Sequence, residues 1–310
     1  MSVRPVKQVL HTTPTLEGAG VKLQRAFGFG KTSEFDPFLL LDDFRNENPA
    51  DYLAGFPWHP HRGIETITYV LAGTVEHGDS LGNRGSLGAG DVQWMTAGSG
   101  ILHQEMPQGD PTGRMHGFQL WANLPASLKM TKPRYQDVAA RDIPEAVDDD
   151  GTRVRVICGD FWGKRGPVEG VAADPRYLDV SVPAGKQKRF AVDRTQHAFA
   201  YVFAGSGTFR DASEPRTVHN EIGDRYAGNR SLVLFDRGDE VTVQAGDEGI
   251  RFLLVSGKPI EEPVAWYGPI VMNTEDERNR YEHRNGGARR CAIRNHPVPS
   301  RANPAPAGSG

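Results

Sequence analysis

Two pairs of side chains in the first half of the sequence have the types and spacing of metal ligands. His59 and His61 occur in FPWHPHRG, and His103 and Glu105 occur in GSGILHQEM. In an extended strand, residues i and i+2 point to the same side, so each pair can direct two ligand atoms towards one point. Imidazole together with carboxylate suits divalent Fe, Mn, Co, Ni, Cu or Zn. Either pair alone usually occurs by chance on a protein surface or in a core and binds no metal. The presence of both pairs beside glycine turns predicts a metal site.

The segments around these pairs predict short strands rather than long helices. The chain contains 36 Gly and 22 Pro residues, which mark frequent turns. Residues 66–70 (TITYV) are rich in the β-branched and aromatic residues that suit a pleated surface, and residues 36–44 (DPFLLLDDF) read as a buried strand. The pattern is typical of an all-β protein built from sandwiches or barrels.

An internal repeat predicts two related β domains. Residues 68–73 read TYVLAG and residues 200–205 read AYVFAG, with an acidic, polar stretch at residues 141–152 between them. We therefore predict a first domain over residues 1–140, a linker over 141–152 and a second domain over 153–275. Residues 276–310 are expected to continue a short helix that Thr274 caps, followed by a disordered tail rich in Pro, Ala, Gly and Ser.

The metal site is predicted in the first domain alone. At the repeat offset, Ala191 and Asp193 stand where the first half has His59 and His61. His197 and His219 are isolated in the sequence, and both are expected to be turn or surface histidines. Cys158 and Cys291 are the two cysteines, and they lack metal-ligand spacing.

Composition excludes several classes of protein. The 310 residues contain 36 Lys and Arg against 39 Asp and Glu, a net charge of −3, which argues against binding nucleic acid through its phosphates. No apolar run approaches the ~20 residues needed to span a membrane, and the N-terminal residues resemble no signal peptide. Two cysteines fit a reducing compartment, so a cytoplasmic location is expected.

Two long motifs resemble those of the pirin family in the cupin superfamily. They are GFPWHPHRGIETITYVLAG (residues 55–73) and GDVQWMTAGSGILHQEMP (residues 90–107). The resemblance continues in residues 36–44, in HGFQLWANLP (residues 116–125) and in EPVAWYGPIVMNT (residues 262–274), and so covers roughly residues 1–275. The sequence beyond about Arg278 departs from the usual pirin ending.

The resemblance implies a bicupin: two antiparallel β-barrel domains, with one metal in the N-terminal domain and a short C-terminal helix. In pirins the metal is usually iron on three His and one Glu, which map to His59, His61, His103 and Glu105. An Fe(II) site of this kind leaves positions for substrate and O2. The resemblance therefore implies a quercetin 2,3-dioxygenase that acts on a small phenol, with Glu105 as the catalytic base. We expect a monomer that binds neither membrane nor nucleic acid directly.

Three alternatives remain open from the sequence. The first is the dioxygenase described above. The second is an iron-dependent regulator that acts through a protein partner, a role to which pirins are also linked. The third is a cupin isomerase or a storage-like binding protein with Mn or Zn. A deep apolar cavity would favour an enzyme, and a sealed metal under a charged surface would favour a switch.

Glu65, four residues after His61, occupies the place of the ligand Glu in many other cupins. We expect it beside the site, as a hydrogen-bond acceptor or lining group. His116 is either a pocket residue or a strand histidine.

Overall fold

A computed structural model describes residues 2–210 and 226–284 of the chain. The predictions for His219, Cys291 and the tail at 285–310 lie outside the described residues. Among the described residues, no helix combines the length and apolar character needed to cross a membrane.

Short strands make up most of the described structure. The first twelve strands are β1 (Val6–His11), β2 (Thr13–Glu17), β3 (Val21–Phe27), β4 (Phe38–Asp43), β5 (Phe56–His61), β6 (Ile64–Ala72), β7 (Thr74–Asp79), β8 (Arg84–Leu87), β9 (Val92–Thr96), β10 (Ile101–Gln108), β11 (His116–Asn123) and β12 (Arg134–Val138). The others are β13 (Glu145–Val147), β14 (Arg153–Cys158), β15 (Asp160–Phe161), β16 (Lys164–Arg165), β17 (Arg176–Val182), β18 (Gln187–Ala191), β19 (His197–Arg210), β20 (Tyr226–Gly228), β21 (Ser231–Phe235), β22 (Glu240–Gly257), β23 (Ala265–Tyr267) and β24 (Ile270–Met272). The α-helices are α1 (Thr32–Phe35) and α2 (Glu275–Arg284), and 3-10 turns lie at Pro49–Asp51 and Ala140–Asp142.

Two antiparallel sheets form the first half of the molecule. A seven-stranded sheet has the order β12-β9-β6-β11-β4-β3-β2, and a four-stranded sheet has the order β5-β10-β7-β8. Apolar side chains from both sheets, among them Val21, Val70, Val75 and Leu87, pack between them. The all-β architecture predicted from turn spacing is confirmed.

One long, curled sheet forms most of the second half. Its order is β1-β21-β19-β22-β17-β14-β13, with β18 paired to β22 and β20 paired to β19. Because β22 is 18 residues long, it pairs with β17, β18 and β19 and closes the sheet around a core. That core contains Phe190, Phe209 and Phe252 and consists of apolar side chains.

The predicted C-terminal helix starts where its sequence indicates. The hydroxyl of Thr274 accepts a hydrogen bond from the Glu277 N–H (3.3 Å), and the Glu277 carboxylate accepts one from the Thr274 N–H (3.0 Å). This reciprocal pair is a capping box, which satisfies backbone donors that the first helical turn leaves unpaired.

Each terminal segment crosses to the other half. Strand β1 pairs with β21 in the second sheet, and Arg4 fastens the entry to it by donating to the carbonyls of Asp193 (2.6 Å) and Gln196 (2.9 Å). The hairpin β23-β24 returns to the first half and borders its cavity. Strand β13 lies in the predicted linker and pairs with β14. The division at residues 141–152 stays a prediction.

The repeated tyrosines join the two halves through a reciprocal contact. Tyr69 donates to the Asp179 carboxylate (2.7 Å), and Tyr201 donates to the Asp43 carboxylate (2.9 Å). The two sheets share the same arrangement: on three neighbouring strands, an apolar residue lies between an aspartate and a tyrosine. These residues are Asp43, Phe118 and Tyr69 in the first sheet and Asp179, Leu253 and Tyr201 in the second. The two halves therefore meet about an approximate two-fold axis. The short sequence repeat, which contains both tyrosines, is consistent with this symmetry.

Removing either tyrosine hydroxyl is expected to lower the free energy of unfolding by about 2 kcal/mol, because each is hydrogen-bonded to a buried carboxylate. The losses of stability in Tyr69→Phe and Tyr201→Phe should be nearly additive in the double variant. The two hydrogen bonds are far enough apart to act independently, because two strand spacings (~10 Å) separate Tyr69 from Asp43, the acceptor of Tyr201. Urea unfolding measures the change. Tyr267→Phe, on an exposed ring, is the control and should change stability by less than about 0.5 kcal/mol. Equal stabilities for all variants would contradict a stabilising contact.

Candidate metal centre

Two neighbouring strands carry the predicted ligand pairs. Strands β5 and β10 are antiparallel, with His59 opposite His103 and His61 opposite Ile101. Alternation along β5 puts both of its histidines on the side that faces His103. The structure thus brings together the three imidazoles chosen from their spacing.

The three rings form a compact cluster. The Nε2 atoms of His59 and His61 are 3.1 Å apart. The ring of His103 lies 4.4 Å from that of His59 and 4.9 Å from that of His61, measured between centroids. One ring nitrogen from each of the three histidines lies within 4.8 Å of the others. His61 is 2% exposed and His103 is 1% exposed, so these two rings are shielded from bulk water, whereas His59 is half-buried.

Burial keeps these imidazoles neutral. It is the main cause that lowers the pKa of His59 and of His103 to about 4, and it lowers the pKa of His61 well below its usual range. The Nδ1 atom of His59 is 2.8 Å from the Pro57 carbonyl oxygen, which favours a proton on Nδ1 and leaves the Nε2 lone pair for a ligand. Among the described residues, neither ring nitrogen of His103 has a hydrogen-bond partner. Neutral imidazoles, two of them buried and one with both ring nitrogens unpartnered among the described residues, fit a divalent transition metal.

Glu105 belongs to a ring of hydrogen-bonding groups beside the cluster. Its two carboxylate oxygens contact the Thr68 hydroxyl (2.8 Å) and the Gln119 amide nitrogen (3.1 Å), and the Thr68 hydroxyl also contacts the Gln119 amide oxygen (2.6 Å). Three contacts need three hydrogens, whereas Thr68 and Gln119 supply one each whichever way the amide is turned. A proton on the Glu105 carboxyl would complete the ring. Its role as a metal ligand stays a prediction.

Glu65 faces away from this site, contrary to the expectation that it would lie beside it. Its carboxylate accepts a hydrogen bond from the Thr96 hydroxyl (2.7 Å), and burial raises its pKa. The residue beside it on the same face, Ile67, packs in the core between the two halves. The positive-φ turn at Gly63 separates β5 from β6, so the alternation counted from His61 does not carry across.

His116 lies at the contact between the two halves and does not border the cavity. Its ring contacts Phe118 and Phe203, with centroids 5.3 and 5.9 Å away. Burial, which outweighs the 3.9 Å approach of Asp43, lowers its pKa to about 4. Of the two sequence-based readings, the structure supports a strand histidine.

The buried His116 should make stability fall in acid. Unfolded histidine takes up its proton near pH 6.5, whereas folded His116 resists protonation down to about pH 4, so stability is lost as pH falls between these values. We expect His116→Gln to remove ~2 kcal/mol of the loss between pH 7 and 4.5. Urea unfolding of metal-free protein at both pH values measures it. Parallel pH profiles for wild type and variant would contradict the assignment.

A cavity of about 930 Å³ opens onto His59 and His61. Aromatic side chains form much of its wall. Trp121 contacts His61 edge-on (5.0 Å between centroids) and lies 6.0 Å from Trp266, which in turn stacks on Phe29 at 3.8 Å. Both tryptophans stand inside motifs quoted above, but no spacing in the sequence marks them as neighbours of the histidines.

A buried lysine ties the C-terminal hairpin to the strand that carries the histidines. Lys129, 1% exposed, donates through Nζ to the carbonyls of Gly63 (2.9 Å) and Val271 (3.1 Å) and to the amide oxygen of Asn123 (2.7 Å). Burial lowers its pKa to about 7. The Val271 N–H also donates to the Arg62 carbonyl (3.0 Å). The hairpin that supplies Trp266 is therefore fixed beside His61.

Two antiparallel β domains, with an imidazole cluster in the first, define a two-domain cupin protein. The Pirin family model matches residues 20–122, and that of the Pirin C-terminal cupin domain matches residues 177–284. The chain belongs to the pirin family, as its two long motifs indicated.

Similar proteins cover most of the chain. A pirin-like protein of Caulobacter vibrioides is 46% identical over 277 residues, which span 89% of this chain and 95% of the relative. A Pseudomonas aeruginosa protein provisionally named quercetin 2,3-dioxygenase is 43% identical over 273 residues, which span 86% of this chain and 92% of the relative. The crystal structure of quercetin 2,3-dioxygenase from Acinetobacter baumannii matches with a TM-score of 0.80 at 29% identity, over 93% of this chain and 99% of that one.

Proposed function

We propose that this protein is an Fe(II)-dependent dioxygenase of flavonols or similar phenols that can form an enolate. The observation that carries the proposal is the cluster of three neutral imidazoles, two of which line a large aromatic cavity. The names of the Pseudomonas and Acinetobacter relatives support the same activity. The substrate class, the metal and the use of O2 are parts of this proposal.

In the proposed site, His59, His61 and His103 hold the metal, and Glu105, which the sequence predicts both as a fourth ligand and as the base, lies beside them. Iron supplies the one-electron chemistry that allows O2 to react with a closed-shell organic substrate. The protein keeps the imidazoles neutral through burial, and the Pro57 carbonyl directs the Nε2 lone pair of His59 inwards.

Glu105 is suited to take the proton of a substrate hydroxyl. It borders the cavity, and its carboxylate is held in place by contacts with Thr68 and Gln119. A fixed carboxylate at the cavity wall meets the geometric requirement for a general base. In Glu105→Gln, a base role predicts retained metal with a fall in turnover of ~100-fold or more, whereas a ligand role predicts loss of metal.

The shape of the site favours an enzyme over a sealed regulatory switch. A cavity of about 930 Å³ reaches two of the histidines, and its aromatic wall can pack against a planar ring. Concave, mainly apolar walls around a few polar groups are typical of small-molecule sites. The regulatory alternative, which requires a closed metal under a charged surface, finds no comparable support in the described residues.

Oxygen consumption tests the proposed function. Fe(II)-loaded protein should consume O2 when quercetin is added, and the double variant His59→Ala His61→Ala should not. His11→Ala, an exposed histidine on β1, is the matched control and should retain full activity. Absence of quercetin-dependent uptake by wild type, or equal uptake by the double variant, would refute the proposal.

A further inference from the structure

A row of polar side chains crosses the wall of the cavity from the metal centre to its other side. Thr68 on β6 is opposite Gln119 on β11, Gln119 is opposite Asp42 on β4, and Asp42 is opposite Arg25 on β3. All four border the cavity. The row begins at Glu105, which contacts Thr68 and Gln119, and ends at an ion pair.

The ion pair at the end of the row is well formed, and its carboxylate is buried. Arg25 donates through Nε (2.8 Å) and Nη2 (2.7 Å) to the two carboxylate oxygens of Asp42, and Nη2 also donates to Glu17 (2.8 Å). Asp42 is only 4% exposed. Burying such a pair costs desolvation that its mutual attraction need not recover, so it is weak evidence of a stabilising role.

The surroundings of the pair set it apart within the cavity. The neighbouring cavity-lining residues on the same two strands, Val21, Leu23 and Leu40, are apolar. A few polar groups in a mainly apolar wall fix the orientation of a bound small molecule. The Arg25–Asp42 pair therefore has the setting of a recognition point.

The distance between the two ends suits an aromatic molecule of two or three rings. Arg25 lies two strands from Gln119, a span of ~10 Å. A planar ligand whose one end reaches Glu105 and the histidines can thus place its other end beside Arg25 and Asp42. Trp121, on the strand that also carries Gln119, borders the same cavity.

The pair offers complementary hydrogen-bonding groups side by side. No bond between described residues uses Nη1 of Arg25, whose N–H groups can donate, and each Asp42 oxygen keeps a lone pair besides the one that Arg25 occupies. One hydroxyl can accept from Arg25 while its neighbour donates to Asp42. We propose that Arg25 and Asp42 recognise two adjacent hydroxyl groups on the substrate ring farthest from the histidines, a catechol-type ring. This inference rests on the proposed function.

Two flavonols that differ only in that ring test the inference. Quercetin carries adjacent hydroxyls there and galangin carries none, and tryptophan fluorescence can report the binding of each to Fe(II)-loaded protein without O2. Wild type should bind quercetin at least ~10-fold more tightly than galangin. The double variant Arg25→Met Asp42→Leu replaces both charges with apolar groups and should bind the two flavonols about equally, with galangin affinity unchanged.

A second ion pair supplies the matched control. Arg153 on β14 and Glu145 on β13 form an ion pair (3.2 Å) that does not border the cavity, so Arg153→Met Glu145→Leu should keep the preference for quercetin. Equal affinity of wild type for both flavonols would overturn the role of Arg25 and Asp42 while leaving the proposed function intact. An equal loss of both affinities in Arg25→Met Asp42→Leu would make the pair purely structural. If wild type binds neither flavonol, the proposed function fails as well.

Discussion

Replacement of His61 and His103 with alanine is expected to abolish specific metal binding, with a loss of affinity well above 100-fold. Changes in groups that merely orient a ligand cost 10–100-fold in affinity, and removing two of three imidazoles takes away the donor atoms themselves. The two rings are almost fully buried, so water would have to fill two cavities to replace them. Metal content of the purified protein and competition with a chelator measure the loss.

The exposed His11 again provides the control for this experiment. His11→Ala should contain as much metal as wild type, because His11 lies on β1 in the second sheet. Circular dichroism should show the same strand content for all three proteins, since strands pair through backbone groups that these substitutions leave in place. Equal metal content in wild type and the double variant would place the metal elsewhere and remove the basis of the proposed function.

Gly63→Ala is expected to lower the free energy of unfolding by ~4 kcal/mol and to weaken metal binding at the same time. Gly63 has a φ of +74°, and a Cβ built there would overlap the carbonyl oxygen of Val271. The alanine would therefore push the hairpin β23-β24 away from the turn that follows His61. That movement would also break the contacts of Lys129 with Gly63 and Val271.

Gly30→Ala separates backbone strain from this overlap. Gly30 has a similar φ of +81°, but a Cβ built there meets nothing within 4 Å. Its substitution should cost only the ~1 kcal/mol of placing alanine in the left-handed region, with no change in metal affinity. Urea unfolding and chelator competition on both variants give the comparison. If Gly63→Ala and Gly30→Ala behaved alike, the hairpin would not be held against the ligand strand.

Several features could be predicted because they depend on residues close together in sequence. Spacing of two residues on a strand brings His59 and His61 to one side, and the N-cap residue Thr274 places the start of α2. Glycine turns between β-branched segments were sufficient for the all-β class. Each of these signals acts over a few residues, where backbone geometry allows few alternatives.

Glu65 marks the limit of such reasoning. Its spacing from His61 suggested the same side of a strand, but the turn at Gly63 lies between them, and Glu65 faces the contact between the halves. Alternation holds only within one uninterrupted strand. A loop therefore resets which side a residue faces, and only the folded chain shows the result.

By itself, the sequence determined the residue types at the candidate site, their pairing along two strands, the all-β class and the family. The tertiary structure decided which groups meet: Trp266 beside Trp121, Lys129 against the Gly63 turn, and Arg25 with Asp42 in the wall of the cavity. The first two contacts join segments far apart in the chain, the third joins neighbouring strands, and all three depend on how strands and sheets pack. Local preferences specify strands, whereas the cavity that favours an enzyme exists only once those strands enclose it.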